Sequence, residues 1–346
     1  MCTSIALFEC NCFGRNLDLD RGFGEQIVIM PRQFPLRFQR TDELDHHHAM
    51  IGMAAVIDGH PLYAEAMNEH GLYMAGLNFP GNAQYAQTIP EGNTALAPYE
   101  LIPWILGTCK SIEEAKEKIH RLTLARIPFM KQDGHALPLA PLHWHIADHR
   151  GALVLETMEC GTFLYEDPIG VLTNNPPFPF HQMNLNQYQH LSASPVQNKI
   201  APTLDLQRFG EGMGAFGLPG DCSSPSRYIR AAFHQLNSRC ADQEHDRVSQ
   251  CFHLLDTVAM PRGSVITEQG HEDITIYACC MSKATQTYYC KTYESAGICA
   301  VSMRPEMMKN SFTFMIYASN GHRSSSLNNV LKIIWKSNVH GISGIC

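Results

Sequence analysis

Strand-like and helix-like segments follow one another in blocks, and this order limits the fold more than any other feature of the sequence. Apolar runs such as "TSIALFE", "GEQIVIMPR" and "MIGMAAVIDG" fill the start of the chain. A helical pattern follows at "SIEEAKEKIHRL", strands return at "LHWHIAD" and "GALVLETM", and two more helical segments precede a closing strand meander. Because strands and helices do not alternate regularly, we expect an α+β protein with antiparallel sheets and segregated helices.

Two helix starts carry capping signals. Ser111 is followed by Glu114, the spacing of a capping box. Ser224 precedes Pro225, which suits an N-cap followed by proline at the first helical position. Helices are therefore expected to begin after Ser111 and Ser224.

Charge and hydropathy exclude some classes of protein. The 346 residues carry a net charge of −7 and contain no basic run, which argues against a nucleic-acid surface. No apolar run approaches the roughly 20 residues that a membrane span needs. The start of the chain has no basic segment before its apolar stretch, and Glu9 interrupts that stretch, so a secretory signal is not expected. These features predict a cytoplasmic protein.

The thirteen cysteines are spread through the chain and are odd in number. In a reducing compartment such residues are mostly buried thiols, so a disulfide framework is not expected. Pairs such as Cys10 and Cys12, the "HHH" run at 46–48, and His143 with His145 are potential metal ligands. No second pair at zinc-site spacing accompanies them, so we predict no metal and no cofactor.

The residue with the most distinctive chemistry is Cys2. If Met1 is removed, Cys2 carries a free α-amine with a reference pKa of about 7.7–8.0 beside a thiol of about 8.5. One residue then supplies both a nucleophile and its base, as in N-terminal-nucleophile enzymes. The alternative is a small buried residue that begins a strand.

A cation and a carboxylate lie one strand away in "RNLD". Arg15 and Asp18 would assist such a nucleophile by favouring the thiolate and by orienting the α-amine. Residues three apart lie on opposite faces of an ideal strand, so a turn or bulge near Asp18 is needed for both to reach Cys2.

Six segments in order resemble the choloylglycine hydrolase family, which contains bile salt hydrolases and penicillin V acylases. They are "MCTSIAL", "FGRNLDLD", "MNEHGLYMAGLNFPGNAQY", "IGVLTNNP", "GLPGDCSSPSRYIRAAF" and "LLDTVAMPRGS". The resemblance runs from residue 1 to about 318. It implies the four-layer αββα sandwich of Ntn hydrolases and a homo-oligomer, usually a tetramer. It also implies one domain over residues 2–320, followed by a tail at 321–346 of unknown role.

The same resemblance implies catalytic roles for six residues. Cys2 matches the family nucleophile, with Arg15 and Asp18 beside it. Asn78 in "AGLNFPG" and Asn174 in "VLTNNP" match residues that line the oxyanion hole and the reaction centre. Arg227 in "SPSRYIR" matches the arginine that completes the site.

Substrate contacts follow from the same comparison. Leu17, Ile57, Phe129 and Leu139 lie in segments that resemble the family's steroid-contacting loops. Asn78 and its context look more like a bile salt hydrolase than a penicillin V acylase, which often has tyrosine there. The resemblance therefore implies hydrolysis of glycine- or taurine-conjugated bile salts, a small-molecule substrate.

Two other functions stay open at this point. Penicillin V acylase activity would use the same fold and nucleophile. A Cys/His-rich metal or redox-binding protein would instead explain the thirteen cysteines and eighteen histidines. Elemental analysis of the purified protein separates that class from a metal-free amidase.

Overall fold

The first of two large sheets has six strands, all antiparallel to their neighbours. A computed structural model describes residues 1–240 and 242–303 together with strand 315–318. The strand order in this sheet is β12-β1-β2-β13-β14-β15. Its strands are β1 (Cys2–Leu7), β2 (Cys12–Leu19), β12 (Val171–Leu172), β13 (Ile274–Ser282), β14 (Thr287–Thr292) and β15 (Ser295–Ser302).

The second sheet has eight antiparallel strands in the order β11-β10-β9-β6-β5-β4-β3-β16. A separate parallel pair is formed by β7 (Thr94–Leu96) and β8 (Leu122–Leu124). The eight strands are β3 (Glu25–Met30), β4 (Met50–Ile57), β5 (His60–Asn68), β6 (Tyr73–Asn78), β9 (Leu142–Asp148), β10 (Gly151–Met158), β11 (Gly161–Asp167) and β16 (Met315–Ala318).

Helices cover the outer face of each sheet. Helices α1 and α2 pack against strands of the eight-stranded sheet, and α4 and α5 pack against the six-stranded sheet. Strand β1 contacts β6 and β9 across the space between the sheets. The order of layers is therefore helix, sheet, sheet, helix. The helices are α1 (Leu101–Thr108), α2 (Ile112–Ile119), α3 (Phe178–Asn184), α4 (Ser224–Asn237) and α5 (Glu244–Asp256).

Two apolar clusters fill the spaces between layers. The larger joins residues of both sheets with those of α4 and α5, including Phe13, Leu77 and Tyr228. The smaller lies between the eight-stranded sheet and α1 and α2, including Trp104 and Trp144. Burial of apolar surface on both faces of each sheet is what makes their strands read as nearly continuous apolar runs.

These observations confirm the predicted α+β class and the αββα sandwich. The predicted helix start at Ser111 is also confirmed, because its hydroxyl accepts from the Glu114 amide. The predicted N-cap at Ser224 is wrong by one residue. Ser223 caps α4, with its hydroxyl accepting from Ser226 N, and Ser224 is the first helical residue.

Two further predictions concern the C-terminal tail and the lack of a membrane span. The tail at 321–346 lies outside the described residues. Within the part of the chain that the structure describes, no helix has the length and apolar character needed to span a bilayer.

Candidate active site

Cys2 is the first residue of β1, a strand held between β12 and β2. It is buried, and the residue that pairs with it on β2 is Leu17. Its nitrogen donates to Asn174 Oδ1 at 2.8 Å. Met1 precedes it, and its carbonyl accepts from Asp18 N at 2.9 Å, so the start of the chain is held against the end of β2. Removal of Met1 would turn the nitrogen beside Asn174 into an α-amine.

The guanidinium of Arg15 contacts the sulfur directly. Nη2 lies 3.2 Å from Cys2 Sγ and also donates to the Gly76 carbonyl at 2.7 Å. Nη1 donates to the Ala64 carbonyl at 2.8 Å and to Glu65 Oε2 at 2.5 Å. Burial lowers the pKa of Arg15, but Cys2 and Glu65 outweigh that effect and hold the pKa well above its ordinary value. The side chain is therefore a fixed cation that bridges the two sheets.

The partner of Arg15 is a buried carboxylate on β5. Glu65 accepts hydrogen bonds from the hydroxyls of Tyr277 at 2.8 Å and Tyr288 at 2.6 Å. The Cys279 thiol lies 3.7 Å from Glu65 Oε1. Burial, reinforced by Glu65, raises the pKa of both tyrosines well above the ordinary value, so they remain hydrogen-bond donors. Glu65 thus has partners on every side and fixes the position of Arg15.

Asp18 lies near the C-terminal end of β2, and its carboxylate has a different set of partners from the Arg15 side chain. Its Oδ1 accepts from Thr275 Oγ1 at 2.6 Å, and its buried Oδ2 has no hydrogen-bond partner. Burial raises the pKa of Asp18 above its ordinary value, although the Arg227 cation opposes the rise. With Met1 attached, the carboxylate does not hydrogen-bond Cys2, but one of its oxygens is free to accept.

The strand that carries Arg15 and Asp18 pairs with β1 in unbroken register, and the irregularity near Asp18 lies on the neighbouring strand β13. Thr275 of β13 pairs with Asp18, whereas Tyr277 pairs with Leu17, so β13 carries one extra residue, Ile276, at this point. A bulge of this kind bends a strand and changes which side chains face each other. Here it places Thr275 against Asp18 and Tyr277 against Glu65.

Arg227 approaches Cys2 from α4. Its Nη1 donates to the Cys2 carbonyl and to Thr3 Oγ1, each at 2.6 Å, and its Nη2 donates to Asn174 Oδ1 at 2.7 Å. Its Nε donates to the Cys222 carbonyl at 3.0 Å. Burial lowers the pKa of this guanidinium, while Asp18 and Cys2 oppose the fall. The two Nη nitrogens hold the first residues of β1 and Asn174, and Nε holds the segment just before α4.

The two asparagines are joined to each other. Asn174 Nδ2 donates to the carbonyl of Asn78 at 2.7 Å, and Asn78 is the last residue of β6. The amide nitrogen of Asn174 donates to Ser224 Oγ at 2.8 Å, and its carbonyl accepts from His181 Nε2 at 2.9 Å. Asn174 is therefore fixed at all its polar atoms, with its side-chain oxygen directed at Cys2 and Arg227.

The structure thus brings all six predicted polar residues to one end of the two sheets. Sequence reasoning missed several that support them, namely Thr3, Glu65, Ser224, Thr275, Tyr277 and Tyr288. The available signal for Glu65 was a single carboxylate inside the apolar strand "HPLYAEAMN". A charge in a buried strand needs a partner, because an isolated buried charge is very costly.

The four predicted substrate residues lie on three segments of the chain. Leu17 is buried beside Cys2. Ile57 pairs with His60 at the turn between β4 and β5, and the Phe129 ring lies 5.4 Å from the His60 ring. Leu139 is half-buried in the loop after Phe129. Two surface cavities of about 390 and 280 Å³ lie elsewhere, near β10–β11 and near α2, and neither is lined by Cys2.

Potential metal ligands are engaged by other groups. His48, Glu69 and His70 place one ligand atom each within 4.8 Å of one another. Glu69, however, is ion-paired with Arg32 and accepts from the Ala49 amide, so its carboxylate is not free for a cation. His143 and His145 are buried, and their ring nitrogens lie against Glu156, Thr173, Ser4 and Asp167.

The cysteines correct one expectation. Cys10 and Cys240 form a disulfide between the first hairpin and the segment after α4. The expectation of thiols is therefore wrong for this pair. The other ten described cysteines are free: Cys2, Cys12, Cys109, Cys160, Cys222, Cys251, Cys279, Cys280, Cys290 and Cys299.

Comparison with known proteins shows similarity over most of the chain. Residues 2–317 match the family of linear amide C–N hydrolases, choloylglycine hydrolase family. A bile salt hydrolase/transferase of Lactiplantibacillus plantarum is 43% identical over 307 residues, which cover 88% of this chain and 93% of that protein. A conjugated bile acid hydrolase of Lactobacillus gasseri is 35% identical over 294 residues, or 84% of this chain and 92% of the relative.

Two solved structures resemble this chain, one in both sequence and fold and the other in fold alone. A C2A mutant of conjugated bile acid hydrolase from Clostridium perfringens superposes with a TM-score of 0.85 and 34% identity, covering 95% of this chain and all (100%) of the other. Penicillin V acylase from Agrobacterium tumefaciens has a TM-score of 0.68 at 15% identity, covering 92% and 91%, and so shares the fold. The present chain, with Cys2 at the head of β1 and two arginines around it, belongs to the choloylglycine hydrolase family of linear amide C–N hydrolases.

Proposed function

We propose that this protein hydrolyses the amide bond between a bile acid and glycine or taurine, with Cys2 as the nucleophile once Met1 is removed. The observation that carries the proposal is the surroundings of Cys2. Its sulfur lies 3.2 Å from a buried guanidinium, and its nitrogen lies 2.8 Å from a fixed amide oxygen. The bile acid part of the substrate is supported by relatives at 43% and 35% identity that are named for bile salts and conjugated bile acids.

The proposed reaction uses the two functional groups of one residue. The α-amine of Cys2 takes the thiol proton, and the thiolate attacks the amide carbonyl carbon. The tetrahedral intermediate collapses to a thioester as the protonated α-amine gives its proton to the leaving glycine or taurine nitrogen. Water then attacks the thioester, with the amine again as base, and releases the free bile acid.

Each polar residue has a proposed part in these steps. Arg15 favours the thiolate because its cation touches the sulfur. Asn174 Oδ1 accepts from the nucleophile's nitrogen, and Arg227 holds that oxygen and the Cys2 carbonyl in place. The Asp18 oxygen that lacks a partner accepts from the α-amine after Met1 is removed. Asn78, at the end of β6 beside Asn174, contributes to the oxyanion site.

The steroid is proposed to bind along the apolar side chains already named. Leu17 lies next to Cys2 on the neighbouring strand, and Ile57, Phe129 and Leu139 lie at the turn and loop farther out. Apolar walls with a few polar groups at one end suit a rigid hydrocarbon body with a polar tail.

Intact mass and product release test this proposal together. Wild-type protein should have lost Met1 and should release glycine from glycocholate. Cys2→Ala should keep the fold, measured by circular dichroism, and release none. Cys160→Ser, which changes an exposed thiol between β10 and β11, is the matched control and should stay active. Turnover by Cys2→Ala, or full activity of a chain that keeps Met1, would contradict the proposal.

Penicillin V is the competing substrate. Rates on glycocholate and penicillin V, measured side by side with one preparation, separate the two activities. We expect the higher kcat/KM on glycocholate. The relatives at 43% and 35% identity are named for bile salts and conjugated bile acids, whereas the penicillin V acylase shares only the fold.

We also propose that the protein is a homo-oligomer, a tetramer by the family resemblance. Ile200, Phe209 and Phe216 are 94%, 98% and 81% exposed in the segment between α3 and α4. Apolar side chains this exposed are typical of surfaces that pack against another chain. Light scattering should give four copies, and Phe209→Ser with Ile200→Ser should lower that number. The single domain over 2–320 and the cytoplasmic location stay predictions.

A further inference from the structure

Two cysteines face each other on the last two strands of the six-stranded sheet. Cys290 of β14 and Cys299 of β15 are direct partners in the antiparallel register. Their sulfur atoms lie 2.8 Å apart. Directly opposed residues of antiparallel strands have Cα atoms about 4.5–5.5 Å apart, within the range that a disulfide spans.

The two thiols differ in access. Cys299 is exposed, whereas Cys290 is buried beneath it. An incoming molecule can therefore reach one sulfur and not the other. This asymmetry is what a two-step exchange needs, because one thiol attacks from solvent and the second resolves the intermediate from inside.

The acid–base properties of the pair support the same order of events. The hydrogen bond from Cys290 lowers the pKa of Cys299 to about 7, although partial desolvation of its sulfur against the neighbouring strand opposes the fall. The same contact, together with burial, raises the pKa of Cys290 well above its ordinary value. A substantial fraction of Cys299 is then thiolate at neutral pH, and the thiolate is the reactive form.

We propose that Cys290 and Cys299 are a thiol–disulfide exchange site that reacts with low-molecular-weight disulfides such as oxidised glutathione. The Cys299 thiolate attacks one sulfur of the small disulfide, forms a mixed disulfide and releases one small thiolate. Cys290, after losing its proton to solvent, attacks Cys299 Sγ, forms the protein disulfide and releases the second small thiolate. Two protein thiols are oxidised, and one small disulfide is reduced to two thiols.

The other described cysteines lack this combination. Cys10 and Cys240 are already bonded to each other. Cys160 is exposed in the turn between β10 and β11 and is a lone thiol, so it can form only a mixed disulfide that persists. The new site lies on β14 and β15, the third and fourth strands from β1 in the sheet order, and its proposed chemistry uses neither the thiol nor the amine of Cys2.

Peptide mapping after exposure to oxidised glutathione tests the proposal, in a Cys160→Ser background. Trypsin cleaves after Lys291, which separates the two cysteines into different peptides. We expect these two peptides to be joined by a disulfide that a reducing agent cleaves, with no glutathione left on Cys299. With Cys290→Ser, glutathione should remain on Cys299, because the resolving thiol is gone.

Other results would overturn the proposal. One is glutathione that persists on Cys299 when Cys290 is present, to the same extent as in Cys290→Ser. Another is a pair of thiols that both stay free under conditions that modify Cys160 in the wild-type chain. Circular dichroism checks that Cys290→Ser is folded, and Cys299→Ser, which changes an exposed position, gives a second variant that should show no adduct and no joined peptides.

Discussion

Two buried arginines flank Cys2, and they differ in whether a carboxylate pairs with them. Arg15 forms an ion pair with Glu65, which two tyrosine hydroxyls also hold. Arg227 donates to carbonyl, hydroxyl and amide oxygens, and among the described residues no carboxylate forms an ion pair with it. The pKa of Arg15 is held above its ordinary value by its charged neighbours, whereas burial lowers that of Arg227.

This difference assigns separate tasks to the two cations. Arg15 and Glu65 cross the space between the sheets, so their pairing joins the layers as well as placing a donor on the sulfur. Arg227 contacts the Cys2 carbonyl and not its sulfur, so it places a positive charge beside the backbone of that residue. We therefore expect changes at Arg15 to lower both stability and turnover, and changes at Arg227 to act mainly on turnover.

The largest effect is expected from Arg15→Met. The substitution leaves the Glu65 carboxylate buried without its cation and removes the donor to the Ala64 and Gly76 carbonyls. Breaking a buried ion pair from one side costs about 3–5 kcal/mol. Urea unfolding should show this loss, and the double variant with Glu65→Gln should recover part of it. A double variant no more stable than the single one would show that the ion pair is not what Arg15 contributes.

Arg227→Met should act on catalysis. It leaves the Cys2 carbonyl, Thr3 and Asn174 without the group that aligns them. Misplacement of reacting groups by about 1 Å can cost a hundredfold in rate, and we expect kcat/KM on glycocholate to fall by about that factor. The loss in unfolding free energy should be smaller than for Arg15→Met, because no ion-paired carboxylate is left behind.

Arg230→Met is the matched control for that experiment. Arg230 lies on the same helix and donates to the carbonyls of Pro219, Asp221 and Thr257, away from Cys2. Its loss should change kcat/KM little. An equal fall in both variants would mean that α4 supports activity only through the fold.

Much of this site could be predicted from sequence, and the rest could not, for a physical reason. Cys2, Arg15, Asp18, Asn78, Asn174 and Arg227 each lie in a short segment whose pattern is local. Glu65 meets Arg15 only because the two sheets stack, and the strand pattern does not say which residues of one sheet face which of the other. The bulge at Ile276 in β13 and the pairing of Cys10 with Cys240 depend in the same way on three-dimensional packing.

A histidine next to Asn174, which Arg227 also contacts, should make the free energy of unfolding depend on pH. His181 Nε2 donates to the Asn174 carbonyl, and the His181 ring stacks on Tyr228 and is fully buried. Burial lowers its pKa to about 4, and the nearby His143 and Arg227 act in the same direction. As the pH falls below about 6.5, His181 binds a proton in the unfolded chain but not in the folded one. The free energy of unfolding therefore falls between pH 6.5 and pH 4.

That linkage can be measured. A shift from about 6.5 to about 4 corresponds to roughly 3 kcal/mol lost across this range. His181→Asn should flatten the pH dependence of the unfolding free energy by about that amount. His60, whose pKa burial also lowers to about 4, makes its own contribution at the turn between β4 and β5, which should still be seen in the variant. An unchanged slope would mean that His181 titrates alike in both states.

The smallest effect concerns the hydroxyls that hold Glu65. Tyr277→Phe removes one donor but leaves Arg15 and Tyr288 on the carboxylate, so we expect a loss of about 1.5 kcal/mol, the lower end for a hydrogen bond to a charged group. Tyr73→Phe is the matched control, because its hydroxyl donates to the neutral Asn11 carbonyl and should cost about 1 kcal/mol. In a Glu65→Gln background the cost of Tyr277→Phe should shrink, whereas that of Tyr73→Phe should not. An equal loss of unfolding free energy for Tyr277→Phe in both backgrounds would mean that the hydroxyl does not depend on the charge of Glu65. The ion pair would then not distinguish Arg15 from Arg227.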